Sequence, residues 1–175
     1  EPGNQWVYRS SWAGASDAWT MEVVRTEVVD GKVYSVVQNT PGGSVWLRMG
    51  REGTLYLYDP ASKREQVWAA FGEWEDRRYQ TAVDPCNRLA FIDSRRWRYS
   101  GPIGEFRNAL RIEYLPAGCA DAGLTQEIFL PYVGLVRRTM TTIAGLRHYD
   151  LIYARLGSVT VISEQHVAFG LTLDK

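Results

Sequence analysis

Among 175 residues there are only two cysteines, two histidines, three methionines and three lysines. The cysteines, Cys86 and Cys119, have no CxxC spacing, which argues against a structural zinc site or a thioredoxin-type redox pair. No apolar run approaches the roughly 18 residues that a membrane-spanning helix needs. Neither sign of charge prevails: 20 basic side chains face 20 acidic ones, so nothing draws the chain over long range toward nucleic acid or anionic lipid. The sequence has no GxSxG, GxxxxGK[ST] or HExxH motif and no EF-hand loop, the commonest readable signs of a nucleophile, a phosphate cradle or a metal. It also has no amphipathic stretch beyond three helical turns, no internal repeat and no low-complexity tract. The chain opens Glu1-Pro2-Gly3-Asn4, without Met or a charged-then-apolar leader, so any signal peptide is expected to have been removed.

What is present describes a globular β-protein. Hydrophobic residues make up 45% of the chain and charged ones 23%, which excludes a disordered or collagen-like chain. At this length folding removes about 70% of the unfolded chain's surface from water, so one core can carry stability. We therefore expect one β-barrel-like domain over 1–165. Residues 166–175 are read as its last strand or as the start of a following domain. The 17 Arg are scattered and read as coding bias, not as a binding surface. Seven Trp and ten Tyr, with many Val and Thr, favour strands over helices.

Turn signals separate the strand signals at short intervals. Trp6 and Tyr8 share a face in 5–9. The runs 19–29 and 32–38 flank Asp30-Gly31, a type I′ hairpin signal, because that turn needs positive φ at both central residues. Val45, Leu47 and Met49 alternate with Trp46 and Arg48, and Leu55 and Leu57 alternate with Tyr56 and Tyr58, as on strands with one buried face. Asp59-Pro60 opens a turn. Residues 61–71 tolerate helix, but their apolar residues bunch near Gly72, and we read a loop followed by a short strand. Residues 73–93 are less regular, with a strand at 78–83 and a bend at Pro85-Cys86. Strands are then expected at 106–115, 125–130, 134–142, 146–155 (after a hairpin turn at Ala144-Gly145) and 159–162. Val167, Phe169, Leu171 and Leu173 alternate to the end. About a dozen short strands with tight connections predict an all-β, antiparallel meander forming a barrel or half-barrel. Barrels of more than eight strands leave interior space, so a cavity is compatible with this count without being required by it.

Four groups of residues invite chemistry. Cys86 and Cys119 both sit beside loop signals. An even count favours a disulfide over two free thiols, with a chain-entropy stabilisation of roughly 3–4 kcal/mol and an oxidising, extracytoplasmic setting. His148 and Asp150 lie two apart on a strand and so face one way. With His166 they form a polar cluster that would supply metal ligands, or a general base with its orienting carboxylate. A polar strand face is the commoner meaning of such spacing. Glu73, Glu75 and Asp76 around Trp74 imitate a glycosidase pair, but neighbours on one turn do not oppose each other across a cleft. Arg95-Arg96-Trp97-Arg98-Tyr99 interleaves charge and rings as single-strand nucleic-acid platforms do. Arg stems packed over Trp97 on a surface strand give the same pattern, and overall neutrality favours that reading. We assign no catalytic, cofactor-binding or metal-binding set, and expect neither a nucleic-acid partner nor a membrane span.

The stretch from Asp121-Ala122-Gly123-Leu124 through Glu127, Phe129, Pro131 and Val133-Gly134-Leu135-Val136-Arg137-Arg138 resembles uncharacterised bacterial extracytoplasmic, lipoprotein-like β-domains with open-barrel folds, in which a strand ends at Pro and a VGLV strand follows. The tail Val167-Ala168-Phe169-Gly170-Leu171-Thr172-Leu173-Asp174-Lys175 is similar to the opening strand of a BsuPI-type proteinase-inhibitor domain, which implies an upstream position in a longer protein. Neither resemblance supplies site residues. The expected function is a non-enzymatic secreted or periplasmic module, lipid-anchored or free, that binds an apolar ligand, a lipid or a protein partner. The alternatives are a hydrolase using His148 and Asp150, and a proteinase-inhibitor-associated interaction domain.

Overall fold

Alternating sequence becomes paired strand almost throughout the computed structural model, which describes residues 1–12, 18–40, 43–119 and 121–163. The first half of the chain forms β1 (Gln5–Ser10), β2 (Ala18–Val29), β3 (Lys32–Thr40), β4 (Gly43–Met49), β5 (Thr54–Asp59) and β6 (Arg64–Ala70). The second half forms β7 (Tyr79–Asp84), β8 (Asn87–Gly101), β9 (Gly104–Pro116), β10 (Gly123–Leu130), β11 (Gly134–Thr142), β12 (Gly145–Leu156) and β13 (Val159–Ile162). The β2–β3 turn has φ of 49° at Asp30 and 73° at Gly31, both positive as a type I′ turn requires.

The strand order is β6-β5-β4-β3-β2-β1-β12-β11-β10-β9-β8-β7. Two six-stranded meanders thus meet at β1 and β12, which pair antiparallel from Gln5↔Arg155 to Ser10↔Tyr149. The far ends, β6 and β7, lie side by side without a backbone ladder. The result is a nearly closed antiparallel barrel whose unsealed seam falls in mid-chain. The Thr81 hydroxyl bridges that seam, 2.8 Å from the carbonyl of Trp68 and 3.1 Å from that of Val67. The β6–β7 link turns at Gly72, where an added Cβ would fall 2.1 Å from the backbone oxygen of Glu52, so only glycine fits. β13 pairs with β12 outside this circuit.

Inward-facing residues build the core: Tyr8, Trp19, Met21, Val23, Trp68, Ile92, Ile112, Tyr114, Leu135 and Leu151 are all buried. Burying a large apolar side chain contributes about 1.5–3 kcal/mol. Two outer faces are covered as well. The β8–β9 hairpin folds back over β10, so that Arg137 of β11 donates to the Ser100 carbonyl and lies over the Tyr99 ring. Buried Val36 and Tyr34 lie on the face opposite Val37, with the Tyr34 ring packed against Trp46 and Tyr58. Below that cluster Glu65 accepts from Arg48, Lys32 and Tyr34. The outward faces carry ion pairs such as Arg111–Glu113 and Arg137–Asp150, whereas strands that line a bilayer turn an apolar band outward. No helix among the described residues is long and apolar enough to cross a membrane.

Two expectations shift. The β11–β12 turn consists of residues 143 and 144, one position earlier than read from sequence, because Gly145 already pairs with Thr142. Residues 87–101 form one long strand whose first part, to 93, falls in the stretch that looked irregular, since its pairing with β9 slips at four points and so breaks the alternation. The alternating tail, 166–175, lies outside the described residues.

Candidate functional site

A twelve-stranded barrel is wider than its side chains need to fill, and the space left over lies at one end. One lobe, of 320 Å³, is lined by Trp6, Tyr8, Met21, Val37, Leu55 and Leu135 among others. A second, of 450 Å³, is lined by Leu110, Leu130, Val133 and Leu156. The lobes share Asn4, Trp6, Met49, Phe71, Phe129 and Gly134, so they adjoin on either side of these residues. Both walls are overwhelmingly hydrocarbon and ring. Trp6 is fixed by donating its indole N–H to the Val133 carbonyl at 2.7 Å. Phe71 packs edge-on against Phe129, with centroids 5.0 Å apart. At the rim, Tyr132 is fully exposed and Met49 largely so.

Behind the first lobe lies a polar network. Glu127 is 0% exposed. One carboxylate oxygen accepts from the Trp68 indole at 2.7 Å and the Tyr114 hydroxyl at 2.6 Å. The other accepts from the Arg138 Nε at 2.8 Å. The Arg138 guanidinium lies over the rings of Trp19, at 4.5 Å, and Trp68, at 5.2 Å. A buried carboxylate survives only when its lone pairs are satisfied and its charge is opposed, and both conditions hold. Tyr8 stacks on Trp19 at 4.4 Å and donates to the Leu135 carbonyl. Burial is the main cause that pushes the phenols of Tyr8 and Tyr114 far above their ordinary range, and at Tyr114 the Glu127 charge adds to it. The network orients Trp68 and Tyr8, two walls of the first lobe. Glu127 itself is sealed from solvent.

The residues singled out from sequence fall elsewhere. Cys86 and Cys119 are disulfide-bonded, which ties the start of β8 to the loop after β9 with a bond of the kind that persists in oxidising compartments. His148 and Asp150 share a face of β12, but each is engaged by the β11 residue opposite. Thr139 Oγ1 lies 2.9 Å from His148 Nδ1, and Arg137 holds Asp150 at 2.5 Å. The two are not brought together as a base and its orienting carboxylate. No group of three His, Cys, Asp or Glu among the described residues is arranged to hold a metal. His166 lies outside those residues. Glu75 accepts the Arg95 backbone N–H and Glu73 pairs with Arg77, so the acidic group organises the β6–β7 link. Within 95–99, the Arg95 side chain bonds the Phe71 carbonyl at 2.6 Å, Arg98 pairs with Glu105, and Trp97 lies 3.6 Å beneath the Arg111 guanidinium.

Sequence reasoning missed Glu127 and Arg138 as a pair and the cavity as a place. A carboxylate directly followed by the apolar residues Ile128, Phe129 and Leu130 was the available signal. Comparison of the chain with protein-family models, curated proteins and solved structures gives no match.

Proposed function

We propose that this protein is a non-enzymatic, extracytoplasmic β-barrel module that holds an apolar ligand, such as the hydrocarbon chain of a lipid, in the two-lobed cavity at its mouth. The observation that carries the reading is the pair of adjoining apolar lobes, of 320 and 450 Å³, both within the size of small-molecule sites. Walls held by the Trp6–Val133 hydrogen bond and the Phe71–Phe129 contact pre-organise the space, which lowers the cost of binding. The disulfide supports the location, as does the resemblance of 121–138 to extracytoplasmic domains. His148 and Asp150, each bonded to its own β11 neighbour, give the hydrolase alternative no comparable support.

Titration with saturated fatty acids of increasing length, followed by tryptophan fluorescence, tests the reading. Each buried methylene contributes about 0.8 kcal/mol, so two more carbons tighten binding roughly tenfold until the lobes are full. Val37→Trp, which fills the first lobe, lowers affinity at least tenfold while the near-UV circular dichroism stays native. Affinity independent of chain length, or unchanged in a folded Val37→Trp protein, removes the reading.

A further inference from the structure

The seam between β6 and β7 is a second candidate site, independent of the cavity. β6 pairs with β5 from Arg64 to Ala70, and β7 pairs with β8 only at Tyr79, Gln80 and Asp84. No backbone hydrogen bond joins β6 to β7 among the described residues. The Val67 carbonyl points into the seam, because the Thr81 hydroxyl reaches it. Backbone groups in an antiparallel strand repeat every second residue, so the N–H and C=O of Glu65 point the same way, beyond the reach of Thr81. There a groove of 920 Å³ opens, with Glu65, Gln66 and Val67 on one wall and Ala82, Pro85 and Leu89 on the other.

We propose that this groove docks one extended segment of another polypeptide, which adds as a strand along the free edge of β6. Unpaired strand N–H and C=O groups, here those of Glu65, are a template for another strand, and strand addition is a standard mode of peptide recognition. The two-walled groove selects a single extended chain. A second copy of this protein offers only a β6 edge recessed within the same kind of groove. The walls direct recognition to the main chain. The Glu65 carboxylate is taken by Arg48, Lys32 and Tyr34, the Asp84 carboxylate accepts the Cys86 N–H, and Gln66 and Ala82 are neutral. Arg88 also lines the groove, makes no ion pair among the described residues, and takes a carboxylate from the incoming segment. The partner is therefore an extended segment carrying an acidic residue.

Amide hydrogen exchange on the full 175-residue chain tests this, with an acetylated decapeptide of alternating Thr and Val around one central Glu as the probe. The Glu65 amide is expected to exchange rapidly in the free monomer and to slow at least tenfold at saturating peptide, with β1 amides unchanged. Arg88→Ala is expected to weaken the peptide about threefold or more. The proposal is overturned by a Glu65 amide already protected in the free monomer, by a peptide that leaves its exchange unchanged, or by protection that follows protein concentration alone and accompanies dimer formation in sedimentation.

Discussion

Replacing Glu127 by Gln keeps the shape of the side chain and removes its charge. The amide offers one oxygen where the carboxylate offered two. With that oxygen turned to Trp68 and Tyr114, which lie 2.7 and 2.6 Å away, its NH₂ meets the donors of Arg138. The guanidinium, on a side chain only 18% exposed, then lies over Trp19 and Trp68 without a counter-charge. Breaking a buried pair from one side costs about 3–5 kcal/mol. In a protein of this size 1 kcal/mol shifts Tm by roughly 2–4 °C, so a fall of roughly 6–20 °C is expected. Adding Arg138→Met removes the stranded cation while the Gln oxygen still serves Trp68 and Tyr114. The double variant should therefore be more stable than Glu127→Gln alone, a non-additivity expected only of groups in contact. Urea denaturation followed by tryptophan fluorescence and far-UV circular dichroism measures all three proteins. A Glu127→Gln cost below 1 kcal/mol, or a double variant less stable than that single variant, refutes the reasoning.

Three further outcomes follow from other parts of the molecule. Cys86→Ser/Cys119→Ser opens a loop with a sequence separation of 33, worth roughly 4 kcal/mol of chain entropy; equal urea midpoints for the double variant and the oxidised parent contradict this. Hydrogen bonds from Arg48 above all, and from Lys32 and Tyr34, hold the Glu65 carboxyl down at about 2 from its ordinary 4.5. A depressed folded-state value stabilises the protein above the unfolded pKa, and that stability is lost as pH falls from about 4.5 through about 2. Glu65→Gln should flatten the stability curve across that window, and parallel curves for the two proteins would exclude the effect. Tyr8 and Tyr114, raised chiefly by burial, should stay protonated in alkaline difference spectroscopy until the protein unfolds; phenolate signals from all ten tyrosines in the native state would count against their placement.

Local chemistry made much of the barrel readable. Asp30-Gly31 marked its hairpin because few residue pairs adopt two positive φ values, and Leu55 to Tyr58 showed which side chains face inward. The alternation was lost wherever both faces are covered. In β10, Ile128 pairs with Arg111 on the face opposite Glu127, yet it is buried because the β8–β9 hairpin folds over that side. The consecutive buried residues Ile128, Phe129 and Leu130 therefore hid the inward direction of Glu127. Trp68 was equally hidden, since it comes from a strand whose position around the barrel no local pattern specifies, whereas Arg138 lies directly opposite Glu127 on the next strand, a pairing obscured by the register slip between Ile128 and Phe129. The same holds for the seam: β6 and β7 look like any consecutive strands, and the absence of a ladder between them depends on how the whole sheet curls. The polar residues that drew attention in sequence, His148 and Asp150, proved to be cross-strand partners of Thr139 and Arg137, an arrangement that period-two spacing also produces.

The most direct test of the central claim is an isotope-filtered NMR measurement of nuclear Overhauser contacts between a bound saturated fatty acid and the labelled methyl groups of Met21, Leu55 and Leu135. Contacts from the hydrocarbon chain to all three methyls, with none to the outward methyl groups of Ile162 or to those of Ile143 at the opposite end of the barrel, are the predicted result. A ligand that touches only outward methyls, or none at all, would contradict it.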